Sequence, residues 1–456
     1  MEILTAIQTV VWGPVTIILL FGTGLYYTIR LKGIQLHLGK SFKYTLEKEE
    51  GHGDVSAFGS LCTALAATIG TGSIVGVATA LKAGGPGALF WMWISAILGM
   101  ATKYAECVLA VKFRIKDDKG QMAGGPMYYI ENGLGKKFKW LAILFAFFGT
   151  FTALLGCGTF PQVNAIAESV GSAFNVPIPI VGAIVTILVA VVVFGGISSI
   201  SKVAEFIVPV MAILYIGGCI VALILNASMI PVAFGKIFEA AFTPYAMGGG
   251  VAGTVIISVM TAMRTGVARG VYTNEAGLGS APIVVAAAQT NSPVRQGLIS
   301  MIGVFLTTLI ICTMTGLVVI MSGLLDTTDL DGGVLSNTAF QMALPGNIGV
   351  YIVSIGLIFF AFTTIIGWCY YGERCVVYLA NSTKLVLAFR IVYVLCVASA
   401  PYLSLQAIWT LADITNALMA FPNLVGLLLL SPIVIKETND FFADLKKQKE
   451  KENANM

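Results

Sequence analysis

Charged residues are scarce in this chain. Asp, Glu, Lys and Arg make up only 11% of its 456 residues, against about 25% in soluble domains. So few charges cannot cover the surface of a water-soluble globule. Histidine is scarcer still: His37 and His52 are the only two. No HExxH stretch occurs, which excludes the common zinc hydrolase arrangement. The eight cysteines (Cys62, Cys107, Cys157, Cys219, Cys312, Cys369, Cys375 and Cys396) show no CxxC spacing. They read as small buried side chains, not as disulfides or metal ligands. None has a base nearby in sequence, so no thiol nucleophile is expected and no enzyme is read. The start lacks a basic n-region, and no cleavable signal peptide is expected.

What the chain has instead is apolar residues, 57% of the total, gathered in long blocks. A spanning helix needs roughly 20 such residues, so the expected solvent is a bilayer. Eleven spans are expected, near 8–29, 60–81, 86–111, 138–165, 177–196, 204–226, 250–290, 297–323, 348–379, 386–403 and 405–435. With that count, all but two of the 27 basic residues fall in or near linkers on one side, the exceptions being Lys82 and Lys236. The positive-inside rule makes that side cytoplasmic, which places the N-terminus outside and the C-terminus inside. The charged tail from 436 to 456 reads as an unstructured cytoplasmic end.

Two spans are interrupted by small polar residues. The second contains ATIGTGSIVG (67–76) and the seventh contains TNEAGLGSAP (273–282). Taken alone, Gly72-Ser-Ile-Val-Gly76 fits the GxxxG packing pattern. The two breaks lie five spans apart, and that changes the reading. If the first span (8–29) is accessory, residues 60–226 and 250–435 form two five-helix units, each opening on a broken helix. Five is odd, so the units have inverted topology within a single transporter domain, 1–456. Unwinding at membrane depth frees backbone N–H and C=O groups that need partners. A half-helix N-terminus suits a carboxylate, and free carbonyls suit an ammonium group or Na⁺. A zwitterion therefore fits, its carboxylate at Gly70, Thr71 and Gly72 and its amine near Thr273 and Asn274.

Several stretches resemble the sodium:alanine (alanine or glycine:cation) symporter family. They are ALAATIGTGSIVGVA (64–78), GGPGALFWMWISAILGMATKYAE (84–106), MAGGPMYYIENGLG (122–135), RGVYTNEAGLGSAPI (269–283) and GWCYYGERC (367–375). The resemblance runs from about residue 8 to 435. It implies an all-α membrane protein with eleven transmembrane helices. The fold would be that of the bacterial leucine transporter, a 5+5 inverted repeat with two discontinuous helices and an extra N-terminal helix. It also implies import of small neutral amino acids with Na⁺ by alternating access. The implied substrate residues are Gly70, Thr71, Gly72, Gln162, Thr273, Asn274, Gly277 and Trp368. Trp368 would limit the pocket to a small side chain, and Gln162 would follow a kink at Pro161. The implied Na⁺ site uses carbonyls of Ala66 and Ile69 with hydroxyls of Thr363 and Thr364. A second cation site would draw on Ser73, Asn274 and Thr307, but Ser73 and Thr307 depart from the Asn and Asp found in other members. The expected partners are a small amino acid, Na⁺ and lipid. No nucleic acid and no cofactor other than the coupling ion are expected.

Two other classes are weighed. A channel needs no paired breaks and would show a ring of like charge. An intramembrane enzyme would need catalytic residues that are missing. Proton coupling is the alternative within transporters. Among the embedded charges, Glu106 is expected to pair with Lys103 at the cytoplasmic rim. Arg264, Arg269 and Glu275 are expected to pair around the second break and brace a cytoplasmic gate, and Asp413 to act as a lone acceptor. Phe90, Trp91 and Trp93 read as a packing belt.

Overall fold

A computed structural model describes residues 2–47, 51–249, 253–402 and 405–454. Lys48 of the first basic linker, residues 250–252 of the expected seventh span and the last two residues of the tail lie outside them. The chain is almost wholly helical. Helix α1 (Glu2–Val11) turns at Gly13 into α2 (Pro14–Arg30), where Pro14 occupies a first-turn position that needs no N–H partner. After α3 (Leu38–Leu46) comes α4 (Ala57–Thr68), capped by Ser56, whose Oγ accepts the Gly59 N–H at 2.8 Å. The helix stops there, and α5 (Val75–Gly84) resumes before α6 (Gly87–Lys112).

A short antiparallel pair, β1 (Ile115–Lys116) with β2 (Met122–Ala123), leads to α7 (Pro126–Leu134) and α8 (Lys139–Leu155). The span expected at 138–165 is two helices. The chain unwinds at residues 156–159, and α9 (Phe160–Phe174) starts with Pro161 in its first turn. Pro161 therefore opens a helix instead of kinking one. Then follow α10 (Ile178–Phe194), α11 (Gly196–Leu225) and α12 (Ile230–Phe242). Phe90 and Trp93 of α6 pack edge-on and tilted against Phe238 of α12, with ring centroids 5.8 and 6.1 Å apart, as a packing belt should.

The region 250–290 departs from a single broken span. Its first part is an antiparallel hairpin, β3 (Tyr245–Gly249) against β4 (Gly253–Ile257), with Tyr245 opposite Ile257. Helix begins only at α13 (Val259–Asn274), capped by Ser258, and after an unwound stretch the short α14 (Ala281–Val285) follows. Helix α15 (Pro293–Val304) passes through π-helical residues 305–312 into α16 (Thr313–Met321). The small helices α17 (Leu324–Thr327) and α18 (Gly332–Ala343) precede α19 (Ile348–Ala380), the longest at 33 residues. Last come α20 (Val386–Ser399), α21 (Leu405–Leu429) and α22 (Ser431–Ala454). The tail read as unstructured is thus helical through Ala454. Phe442 of α22 packs edge-on against His37 at 4.5 Å, under the Lys40 ammonium.

Among the described residues, eight helical stretches are long and apolar enough to cross a bilayer, and α4, α5 and α10 are shorter apolar helices. Ile187 and Val191 on α10, Ile213 on α11 and Leu387 on α20 are each at least 60% exposed. Apolar side chains presented outward along several neighbouring helices need lipid, not water, around them. The protein is a multi-pass membrane protein.

Candidate functional site

The two unwound stretches lie side by side in the interior. In the first, the chain leaves α4 at Thr68, extends through Gly70 and makes one 3₁₀ turn over Thr71–Ser73. Glycine is required at 70: a Cβ there would stand 2.5 Å from Thr364 Oγ1 and 3.1 Å from Gln162 Oε1. A Cβ at Gly72 would stand 2.9 Å from both Tyr272 and Thr273, so the first break touches the end of α13 directly. The freed Thr71 N–H donates to Gln162 Oε1 at 3.1 Å. Gln162 is aimed there by its own amide, which donates to the Cys157 carbonyl at 3.0 Å, so the gap between α8 and α9 serves the first break. Thr71 Oγ1 and Ser73 Oγ are buried and make no hydrogen bond among the described residues.

In the second break, α13 ends at Asn274 and the chain turns through left-handed residues, Glu275 at φ +55° and Gly277 at φ +90°. A left-handed glutamate costs free energy unless its surroundings hold it. Three donors hold this one: Trp368 Nε1 at 3.0 Å, Ser280 Oγ at 2.7 Å and Thr68 Oγ1 at 3.4 Å. Thr68 closes α4, so Glu275 ties the two breaks together. Trp368 is 1% exposed and spends its one donor on that carboxylate. The Asn274 side chain accepts the Ala276 N–H at 3.0 Å and donates to Thr308 in the π-helical stretch at 3.2 Å. Thr273 Oγ1 donates back to the Gly270 carbonyl.

Lys103 and Glu106 also belong to this break, and they do not pair at a rim. The Lys103 ammonium donates to the Asn274 carbonyl at 3.1 Å. Glu106 Oε1 accepts the Gly279 N–H at 3.1 Å and the Asn423 amide at 2.6 Å, and the same amide holds the Gly277 carbonyl at 2.9 Å. Tyr129 OH donates to Asn423 Oδ1. The physical reason is depth. Lys103 lies nine residues from the end of α6, which at 1.5 Å per residue is about 14 Å inside. At that depth a charge needs backbone or side-chain partners, since no solvent reaches it.

The residues expected to bind Na⁺ are brought together in part. Thr364 Oγ1 lies 3.1 Å from the Ala66 carbonyl oxygen and 2.9 Å from that of Phe360. Thr363 points elsewhere, toward the Phe360 carbonyl at 3.1 Å and Met211 Sδ on α11 at 3.9 Å. Ile69 is buried beside Ala66, with its N–H on Leu65. Thr307 donates to the Gly303 carbonyl within its own helix.

The expected cluster of Arg264, Arg269 and Glu275 does not form. Arg269 makes a two-pronged pair with Asp413 at 3.3 and 3.4 Å, and Gln8 and Trp12 also hold Asp413. The guanidinium lies over the rings of Tyr272 and Trp409, 5.7 and 5.5 Å from their centroids. The pair lines a cavity of about 540 Å³ together with Thr79, Pro161, Glu168 and Asp331. A smaller cavity beside it takes in Arg264. Both arginines therefore face the end that carries Lys82 and Asp326, not the basic end. Tyr272, which neighbours Arg269 and Trp409, also stands 2.9 Å from where a Cβ at Gly72 would be.

The opposite end is closed by ion pairs. Arg374 pairs with Asp117 and Glu373, both at 2.8 Å, and Arg390 pairs with Glu373 at 2.7 Å. Arg114 clamps the carbonyls of Ala286, Ala288, His52 and Thr290. In the loop before α4, Asp54 accepts the Met122 N–H at 2.8 Å, and burial raises its carboxyl above the ordinary range.

Sequence reasoning missed Asn423 and the Glu275–Trp368 pair, and it gave Lys103 and Glu106 the wrong partners. For Lys103 and Glu106 the signal was their depth within α6.

Known proteins resemble the chain along its whole length. The sodium:alanine symporter family profile matches residues 1–455. A transporter of uncharacterized function from Haemophilus influenzae is 54% identical, over 98% of this chain and 97% of the relative. The sodium/alanine symporter AgcS of Methanococcus maripaludis is 48% identical, over 96% of this chain and 97% of the relative. The probable sodium/glutamine symporter GlnT of Bacillus subtilis is 36% identical, over 94% and 88%. Among solved structures, MhsT in complex with L-phenylalanine superposes with a TM-score of 0.53 at 13% identity, covering 85% of this chain and 98% of that one. That likeness shows the fold alone, the bacterial leucine transporter fold. The chain belongs to the sodium:alanine symporter family.

Proposed function

We propose that the protein imports small neutral amino acids, alanine and glycine first, together with Na⁺ by alternating access. The observation that carries this reading is the meeting of the two breaks, with Gly72 against Tyr272 and Thr273. Around that contact lie backbone donors, backbone acceptors and hydroxyls in a dry interior, the set a zwitterion requires. The substrate carboxylate goes to the N–H groups of Gly70, Thr71 and Gly72, where Gln162 now sits on Thr71. The amine goes to the α13 end at Thr273 and Asn274, with Gly277 beyond it. Trp368, fixed by Glu275, closes the side-chain end and keeps it small. Na⁺ goes to the Ala66 and Ile69 carbonyls with Thr364, and with Thr363 if its hydroxyl rotates.

We further read the architecture as one transmembrane domain of eleven spans. Each broken pair, α4 with α5 and α13 with α14, counts as one span, and α10 counts as another. The units about 60–226 and 250–435 are then inverted repeats behind the accessory helix 8–29, followed by the tail 436–456. The N-terminus is external and the C-terminus cytoplasmic. Even with Arg264 and Arg269 reassigned, the end carrying Arg114, Arg295, Arg374 and α22 holds most of the basic residues. The structure is then open toward the outside through the Arg269–Asp413 cavity and closed inside by the Arg374 network.

Uptake of labelled alanine into proteoliposomes tests the function. An inward Na⁺ gradient should drive accumulation, and replacing Na⁺ with choline at fixed pH should stop it. Accumulation that persists in choline and follows an imposed pH gradient would establish proton coupling instead.

A further inference from the structure

We propose that Lys103 serves as a built-in second cation, so that one Na⁺ accompanies each substrate molecule. The inference rests on the Na⁺-symport reading and specifies its stoichiometry. Lys103 is 3% exposed, and its ammonium donates to the Asn274 carbonyl at the last turn of α13. A helix C-terminus carries a partial negative charge and unpaired carbonyls, and in a water-free interior these call for a cation. Lys103 provides that cation from a neighbouring helix, and being covalently tied to α6 it cannot leave with the substrate. Of the three side chains on which a second Na⁺ would draw, Ser73 is left without a partner among the described residues and the other two are held within the protein. Asn274 is held by Ala276 and Thr308, and Thr307 bonds to Gly303.

Charge balance leads to the same conclusion. The carboxylates at the second break are Glu106 and Glu275, 0% and 2% exposed. Arg269 and Asp413 neutralise each other, and a zwitterionic substrate adds no net charge. With both carboxylates ionised, Lys103 and one Na⁺ match them in charge. A second Na⁺ would then leave a positive charge uncompensated in a medium of low dielectric.

The full chain in proteoliposomes, with radiolabelled Na⁺ and alanine, tests this through the ratio of initial fluxes. The wild type should move one Na⁺ per alanine. Lys103→Gln should raise the ratio to two. Lys103→Gln combined with Glu106→Gln, which removes one charge of each sign and keeps an acceptor for Gly279, should restore one. A wild-type ratio of two overturns the inference and leaves symport standing, as does a Lys103→Gln ratio that stays at one. Uptake indifferent to Na⁺ overturns the symport reading itself, and this inference with it. If Lys103→Gln does not fold, a wild-type ratio of two still overturns the inference.

Discussion

At the first break, the partners of the freed backbone are neutral. A glutamine amide holds the Thr71 N–H, and a threonine hydroxyl leans on the Ala66 carbonyl. At the second break, the partners carry full charges and are packed in place: Lys103 on Asn274, Glu106 on Gly279, and Glu275 held by Trp368 and Ser280. Both stretches break a helix in a dry interior, yet only the second has its charge needs met by the chain itself. The difference teaches that a break can be a scaffold or a receptor. The second break is braced so that its carbonyls stay where they are. On the proposed function, the first is left to neutral groups that a substrate carboxylate or a cation would displace. A transporter needs both, since a site with two soft sides would collapse when its ligands left.

The sharpest way to break this comparison is to remove a brace. Glu106→Ala leaves the Gly279 N–H without an acceptor, leaves the Asn423 amide only the Gly277 carbonyl, and strips Lys103 of a nearby negative charge. Removing one partner from a buried charged cluster costs about 3–5 kcal/mol. The variant should melt well below the wild type in detergent, with or without alanine and Na⁺. A melting temperature equal to the wild type's would mean that the second break is not held by charge. Next in size is Gly72→Leu, which drives a side chain into Tyr272 and Thr273. Overpacking of this kind costs about 1–3 kcal/mol, so alanine affinity should fall by up to about 100-fold. The protein should still elute as a folded species, because the first break is the softer one. Normal alanine binding by this variant would move the receptor site elsewhere.

Much of this was legible in the sequence. Three glycines, two threonines and a serine within ATIGTGSIVG do not continue a membrane helix, and the structure unwinds there. TNEAGLGSAP unwinds for the same reason. What was misread involved charges whose partners lie far along the chain. Lys103 and Glu106 are three residues apart, and the local helix rule pairs them. Their actual partners, Asn274, Gly279 and Asn423, arrive from other helices, and no spacing within α6 announces them. Arg269 was assigned to the basic face because it follows a span boundary placed too early. The hairpin of β3 and β4 uses up the residues that seemed to begin that span. The tail's charge argued for disorder, while Phe442 and its contact with His37 fix part of it against the first linker.

The smallest expected effects sharpen the receptor side of the comparison, because they separate two neighbouring hydroxyls. Thr364 Oγ1 already lies 3.1 Å from the Ala66 carbonyl, whereas Thr363 Oγ1 faces Met211. Thr364→Val keeps the branched shape and deletes the oxygen. Losing one ligand of a weakly held ion, about 1.4 kcal/mol, should raise the Na⁺ concentration for half-maximal uptake about tenfold. Thr363→Val deletes an oxygen aimed away from the site, so its shift should stay below about twofold, under ~0.4 kcal/mol. The Na⁺ dependence of initial alanine uptake measures both. Equal shifts would mean that Thr363 rotates toward Ala66 when the ion binds, which makes the first break softer still. A larger shift for Thr363 than for Thr364 would place the ion on the α11 side of α19 and remove Ala66 from its shell.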